Sequence, residues 1–278
     1  KTLMQNVAEG KVVILKNKNH ENVIPTAVGE GLTIKVNANI GTSMQRSSIE
    51  QELTKLQIIE QAGADTVMDL STGDNLDETR LKIISASSIP VGTVPIYQAG
   101  KEAIDEKKSV LELSKDKLFS DIEKHCKDGV DFITVHCGVT REVLNNLKKQ
   151  GRVTDIVSRG GAMLAAWIEG NKRENPLYEY YDDLLDIART YDTTLSLGDG
   201  LRPGCGADAG DRAQVTESIV LGELVNRARK AGVQTMVEGS RPCSFKSYSG
   251  NDSDHQSLNA QRSFIRFRTI SYRYSSGL

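Results

Sequence analysis

The sequence predicts an α/β fold, a (β/α)8 TIM-type barrel that is incomplete, with about seven of its eight strands legible and an irregular carboxyl tail. Three observations predict it. Short apolar runs recur along the chain, and nearly every one ends in a polar or reactive side chain. Segments of helical periodicity separate the runs. One junction, a glycine closing a helix just before a strand, occurs three times, as Ala62-Gly63-Ala64-Asp65-Thr66, Asp128-Gly129-Val130-Asp131-Phe132 and Ala231-Gly232-Val233-Gln234-Thr235.

Taken in order, the strand-like runs are Leu32 to Asn39, Thr66 to Asp69, Val91 to Tyr97, Phe132 to His136, Ile156 to Arg159, Leu195 to Asp199 and Thr235 to Glu238. After the first run, Ile49, Leu53, Leu56 and Ile59 fall on one helical face. Ser47 with Glu50 offers a capping box, and Gly63 ends the helix. Successive strand ends lie roughly 22 to 41 residues apart, enough for a loop and a crossover helix, so the strands run parallel. A doubly wound open sheet is the rival, but it gathers ligands at one switch point, whereas here every run ends in polar chemistry.

At 278 residues and 30.4 kDa the chain suits one barrel of about 250 residues or two smaller domains. With 35 basic and 37 acidic residues, a net charge of -2 gives no electrostatic reason to expect nucleic acid or a membrane as partner. A small molecule is the expected partner. Cys126, Cys137, Cys205 and Cys243 form no C-x-x-C pair, so no disulfide framework or zinc knuckle is written and a reducing cytoplasm is expected. No apolar run of about 18 residues occurs. Because the first residue is Lys1, the amino end is expected to be incomplete.

Parallel strands bring their carboxyl ends to one mouth, which gathers Asn39, Met68, Tyr97, His136, Ser158, Arg159, Asp199, Arg202 and Glu238. Backbone amides of Ser158-Arg159-Gly160 form a cup for phosphate, with the Arg159 guanidinium adding charge-assisted bonds and Gly160 and Gly161 allowing close approach. Asp199 and Arg202, on the glycine-bounded turn Gly198 to Gly204, pair an acceptor with a donor for a polar ring or ribose. Each signal has a plainer reading. Glycine-rich turns are often only turns, Met68 is ordinarily packing, and His136, Asn39, Tyr97 and Glu238 each suit a satisfied strand-end position. Tyr178, Tyr180 and Tyr181 read as a half-exposed helix start.

The strings Val36 to Gly41, Ala64 to Gly73, Gly92 to Gln98, Val157 to Gly161, Ser196 to Gly204 and Gln234 to Gly239 resemble the phosphomethylpyrimidine synthase family of thiamine biosynthesis, across residues 1 to 239. The resemblance implies a (β/α)8 barrel and a noncanonical radical S-adenosylmethionine lyase that rearranges 5-aminoimidazole ribotide into the hydroxymethylpyrimidine phosphate. It places the substrate contacts on Asn39, Met68, Tyr97, His136, Ser158, Arg159, Gly160, Asp199, Gly200, Leu201, Arg202 and Glu238. It also implies S-adenosylmethionine, a [4Fe-4S] cluster, zinc as a second metal and a homodimer. The cluster's C-x-x-C-x-x-x-x-C motif and the metal-binding histidines are absent from this chain. The paralogous hydroxybenzimidazole synthase and a non-catalytic ribotide-binding fragment are the alternatives.

Residues 1 to 239 are thus expected to form the barrel domain, and 240 to 278 a disordered or poorly packed tail. In that tail the composition changes to ten serines, six basic and two acidic residues, and three of the chain's five phenylalanines. A disordered or helical tail is one explanation, and a single-base slip near codon 239 is the expected one. Codons chosen for Gly239 to Phe245, read one base later, spell Gly-Pro-Gly-His-Val-Pro, which is how the family continues. Pro242 and Ile265 then stand where a metal-binding His and a substrate-binding Tyr belong, and the chain as written is expected to be inactive.

Overall fold

The computed structural model describes residues 2–45 and 48–239 together with the backbone of 268–270. A short helix α1 (Thr2–Ala8) leads into an antiparallel hairpin, β1 (Val12–Leu15) and β2 (Thr26–Gly29). There follow β3 (Val36–Ile40), α2 (Ile49–Gln61), β4 (Thr66–Asp69), α3 (Leu76–Ala86), β5 (Val91–Thr93), α4 (Pro95–Asp105), α5 (Lys115–Asp128) and β6 (Phe132–Val135). Then come α6 (Arg141–Gln150), α7 (Arg159–Asn171), α8 (Pro176–Glu179), α9 (Tyr181–Tyr191), β7 (Thr194–Leu197), α10 (Arg212–Lys230), β8 (Thr235–Val237) and β9 (Arg268–Ile270).

Strands β3 to β8 pair in chain order and all in parallel, and β9 adds to the free edge of β3, giving the order β8-β7-β6-β5-β4-β3-β9. The architecture is α/β with a parallel sheet. Among the described residues no pairing joins β8 to β9, so a seam lies between the two outer strands. Every residue of β4 to β8 is buried, which a parallel sheet covered on both faces requires. Ile83, Leu118, Ile122, Leu164 and Leu224 from the surrounding helices join Val67, Ile133 and Leu195 of the strands in one core.

One expected strand is not a strand. Ile156–Arg159 forms no ladder, because β6 and β7 pair directly with each other and leave no edge between them. Asp155 has a left-handed backbone (φ 52), Val157 is 43% exposed, and Ser158 turns the chain into α7 as its N-cap. Two other elements shift slightly. Tyr97 lies in the first turn of α4, since Pro95 begins that helix two residues after β5 ends. The cap of α2 is Ser48, whose hydroxyl accepts from the Gln51 amide. Ser47, Cys243, Pro242, Ile265 and the side chains of the tail lie outside the described residues. Tyr181, read as half-exposed, is fully buried. No described helix is long and apolar enough to cross a membrane.

The repeated junction has a physical use at the amino-terminal face. Gly63, Gly129 and Gly232 take φ values of 79, 106 and 73°, which L side chains rarely adopt. The residue just before each following strand then reaches sideways. Asp65 accepts the Val36 amide at 2.7 Å, Asp131 accepts the Val91 amide at 2.7 Å, and Gln234 takes the Ile14 amide at 2.7 Å. Asp131 is fully buried and also binds the Asn17 amide at 2.8 Å and His20 Nδ1 at 2.7 Å, tying the segment after β1 beneath the sheet. Asp131→Ala leaves those buried donors bare and is expected to cost about 3 kcal/mol. Urea denaturation checks it: the midpoint falls with an unchanged slope, and an unchanged midpoint refutes this role for Asp131.

Candidate active site

One row of side chains crosses the sheet in register. Asn39 pairs with Met68, Met68 with Gly92, Gly92 with Phe132 and Phe132 with Thr194. Because side chains alternate along a strand, these residues share one face. The Phe132 ring covers Gly92, where an added Cβ would lie 2.2 Å from it. Two residues further along, the same face carries Thr134 of β6 and Ser196 of β7, and just past the strands His136, Gly198 and Glu238. Glu238 Oε1 accepts from Thr134 Oγ1 at 3.0 Å and Ser196 Oγ at 3.3 Å, so the polar layer begins where the apolar one ends.

Most of the expected residues do meet. Ser158 Oγ lies 3.3 Å from His136 Nε2 and accepts the Gly161 amide at 3.1 Å. The Arg159 guanidinium stacks over the Tyr97 ring at 5.1 Å. Arg202 Nη1 reaches Asp199 Oδ1 at 3.2 Å on their own turn. Asn39 and Met68 adjoin the site through the sheet register alone, and the buried Asn39 Oδ1 has no hydrogen-bond partner. The Leu201 side chain is fully buried. Its amide goes to Glu217 and its carbonyl to Arg152, so Leu201 anchors the turn from within.

The glycines serve protein packing. A Cβ on Gly160 would lie 2.3 Å from the His136 ring, and one on Gly161 would lie 2.3 Å from the Gly200 carbonyl oxygen. A Cβ on Gly198 would press on the other edge of the imidazole at 3.0 Å. The imidazole is therefore wedged between the start of α7 and the end of β7, and α7 meets the 199–202 turn backbone to backbone. Amides in the first turn of α7 have no intrahelical acceptor, so the expected anion cup at Ser158 to Gly160 coincides with a helix amino terminus of 13 residues.

Burial sets the charges. It pulls His136 down to about 4, with Arg202 acting in the same direction, so the imidazole is neutral near pH 7. Its Nδ1 is buried without a partner. Burial and the neighbouring Glu238 push Asp199 up to about 7, against the pull of Arg202. Glu238 is raised by burial, and Tyr97 is raised by burial against Arg159 and Arg202. Glu217 of α10, 1% exposed, is pushed up to about 8 by burial. Sequence reasoning missed Glu217 and Arg152. Neither ends a strand, and their only local signal is an acid in a helix and an arginine after a glycine.

The three described cysteines do not fit iron–sulfur ligation. Cys126 and Cys137 are fully buried in separate places, and burial pushes the Cys126 thiol up to about 12 and raises Cys137 further. Cys205 faces Asp208 at 3.4 Å. Among the described residues, no group of three or more His, Cys, Asp or Glu side chains is placed to hold a metal ion.

The sequence matches the model of the Radical SAM ThiC family over residues 1–248. It is 59% identical over 237 residues to a phosphomethylpyrimidine synthase of Desulforamulus reducens, covering 85% of this chain and 55% of that protein. The corresponding protein of Syntrophus aciditrophicus is 54% identical over 237 residues, with 85% and 56% covered. The chain thus spans about half the length of the curated relatives it matches. Among solved structures, a phospho-2-dehydro-3-deoxyheptonate aldolase from Thermotoga maritima aligns with a TM-score of 0.42 at 12% identity, covering 88% of this chain and 52% of that one. A family match over most of its length, together with relatives of this identity, places the chain in the Radical SAM ThiC family.

Proposed function

We propose that residues 1 to 239 form the ribotide-binding barrel of a phosphomethylpyrimidine synthase, which converts 5-aminoimidazole ribotide to 4-amino-5-hydroxymethyl-2-methylpyrimidine phosphate in thiamine biosynthesis. One observation carries the reading: the start of α7 and the 199–202 turn, each bearing an arginine, are packed against each other through Gly161 and Gly200. A helix amino terminus beside Arg159 suits the phosphate end of a ribotide. Asp199 and Arg202 suit its ribose or ring, because together they offer an acceptor and a donor. The site would also be rigid, with Tyr97 pinned under Arg159 and His136 wedged between glycines.

The reaction class is a carbon–carbon lyase of the radical S-adenosylmethionine kind. Its hard chemistry belongs to the S-adenosylmethionine and [4Fe-4S] cluster of the family, and among the described residues no group of three or more His, Cys, Asp or Glu is placed to hold the cluster or zinc. The task left to the residues described is to bind the ribotide, fix its orientation and keep water and stray hydrogen donors away from it. A homodimer in the cytoplasm goes with this reading.

Titrating 5-aminoimidazole ribotide into the chain by calorimetry tests it. Saturable binding is expected, and Arg159→Ala should weaken it by about 1.5–3 kcal/mol, the worth of a hydrogen bond to a charged group. A folded protein that takes up no ribotide overturns the reading.

The charge state of the pocket gives a second test. Asp199 holds its proton up to about 7 in the folded chain, whereas its ordinary value is 3.8. Its contribution to stability is therefore complete below 3.8 and is lost as pH rises toward 7. Asp199→Asn removes that slope. Urea midpoints at about pH 4 and about pH 8 should fall more for the parent than for the variant. Equal falls mean that Asp199 titrates normally.

A further inference from the structure

The 199–202 turn lies outside the sheet ladder, yet buried side chains from two other elements hold its backbone. Glu217 Oε2, on α10, accepts the Leu201 amide at 2.9 Å and lies against the Gly200 amide. Arg152, on the strap between α6 and α7 with a side chain 1% exposed, donates to the Leu201 carbonyl at 2.6 Å. Asp211, the N-cap of α10, grips that guanidinium at 2.5 and 2.8 Å. The strap is itself fixed, because Asp208 accepts the Val153 and Thr154 amides at 2.8 and 3.0 Å. Four residues beyond Thr154 the strap becomes Ser158. One set of buried contacts therefore governs both arginine-bearing turns.

We propose that Arg152 and Glu217 are positioning residues for ligand recognition, setting the 199–202 turn against the start of α7 so that Arg202 and Arg159 engage one phosphorylated ligand together. The inference rests on the ribotide reading above. Neither residue touches the ligand. Arg152 holds the turn by a carbonyl and Glu217 by an amide, so removing either frees the turn on one side while the Gly161–Gly200 contact remains. Glu217 acts as a neutral acid. Burial favours its protonated form, and its Oε1 is buried with no partner. The charged groups acting on it are Asp199 on the turn and Arg152 on the strap.

The experiment titrates 5-aminoimidazole ribotide into the full chain, Arg152→Met, Glu217→Ala and Glu217→Gln, with circular dichroism reporting the fold. Failure of the parent chain to bind defeats the ribotide reading. Given parental binding, Arg152→Met and Glu217→Ala are expected to lose about tenfold or more in affinity while folded, and Glu217→Gln, which keeps a neutral acceptor for the Leu201 amide, about threefold or less. Parental affinity in Arg152→Met or Glu217→Ala overturns the proposal, as does a loss in Glu217→Gln equal to that in Glu217→Ala. The pH profile decides the matter even where the first two variants do not fold. From about pH 7 to about pH 9 the parent should lose affinity as Glu217 ionises and adds a negative charge beside Asp199 and the anionic ligand, while Glu217→Gln falls less, by the part that Asp199 alone contributes. Parallel profiles overturn the proposal.

Discussion

The unbroken parallel pairing of β3 to β8 is the constraint on which the site depends. A parallel ladder in chain order sends each strand the same way, so every carboxyl end opens on one side. The register then decides which side chains share a face. A slip of one residue in β6 would turn Thr134 and His136 outward and present Ile133 and Val135 instead. Gly92 helps prevent that slip. The Phe132 ring occupies the volume its side chain would take, locking β5 against β6 one layer below the polar groups.

Above that layer the sheet gives way to buried polar groups, and their energetics differ from those of a surface site. Two arginines stand among the acids Asp199, Glu217 and Glu238, and burial raises all three. Were all three ionised, the mutual repulsion of Asp199 with its two neighbours would oppose an anionic ligand. Protons retained on Asp199 and Glu217 lower that repulsion and favour Arg159 and Arg202 as the charges that meet a ligand. A neutral His136 adds no charge while keeping a fixed ring between the two turns.

The strand ends were legible because burial on both faces leaves continuous apolar runs, and a polar residue that stops such a run marks the mouth. The glycine junctions were legible because their left-handed backbone restricts residue choice. Ile156–Arg159 misled because two apolar residues followed by Ser158 and Arg159 imitate a strand end, and the direct pairing of β6 with β7 excludes it. The glycines after Ser158 are expected from the sequence to allow close approach of a phosphate; in the structure they give room to His136 and Gly200. Arg152 and Glu217 were illegible for another reason. Their partners lie 49 and 16 residues away, and nothing local distinguishes a buried arginine or glutamate from a solvated one until the fold supplies the neighbour.

Two means of holding the 199–202 turn are combined here, and they differ in what they tolerate. Backbone-to-backbone packing at Gly161 and Gly200 admits no added carbon, but it exerts no pull and fixes only how near the elements approach. The bonds from Glu217 and Arg152 are directional and fix how the turn is rotated, yet they need buried groups that are costly unless paired. Arg152 meets that cost through Asp211, whereas Glu217 lowers it by keeping its proton, with Oε1 still unpaired. A carboxylate at that position would face Asp199 across the turn. Rotation of the turn, and hence the aim of Arg202, is therefore set by side chains of other elements, Glu217 on α10 and Arg152 on the strap.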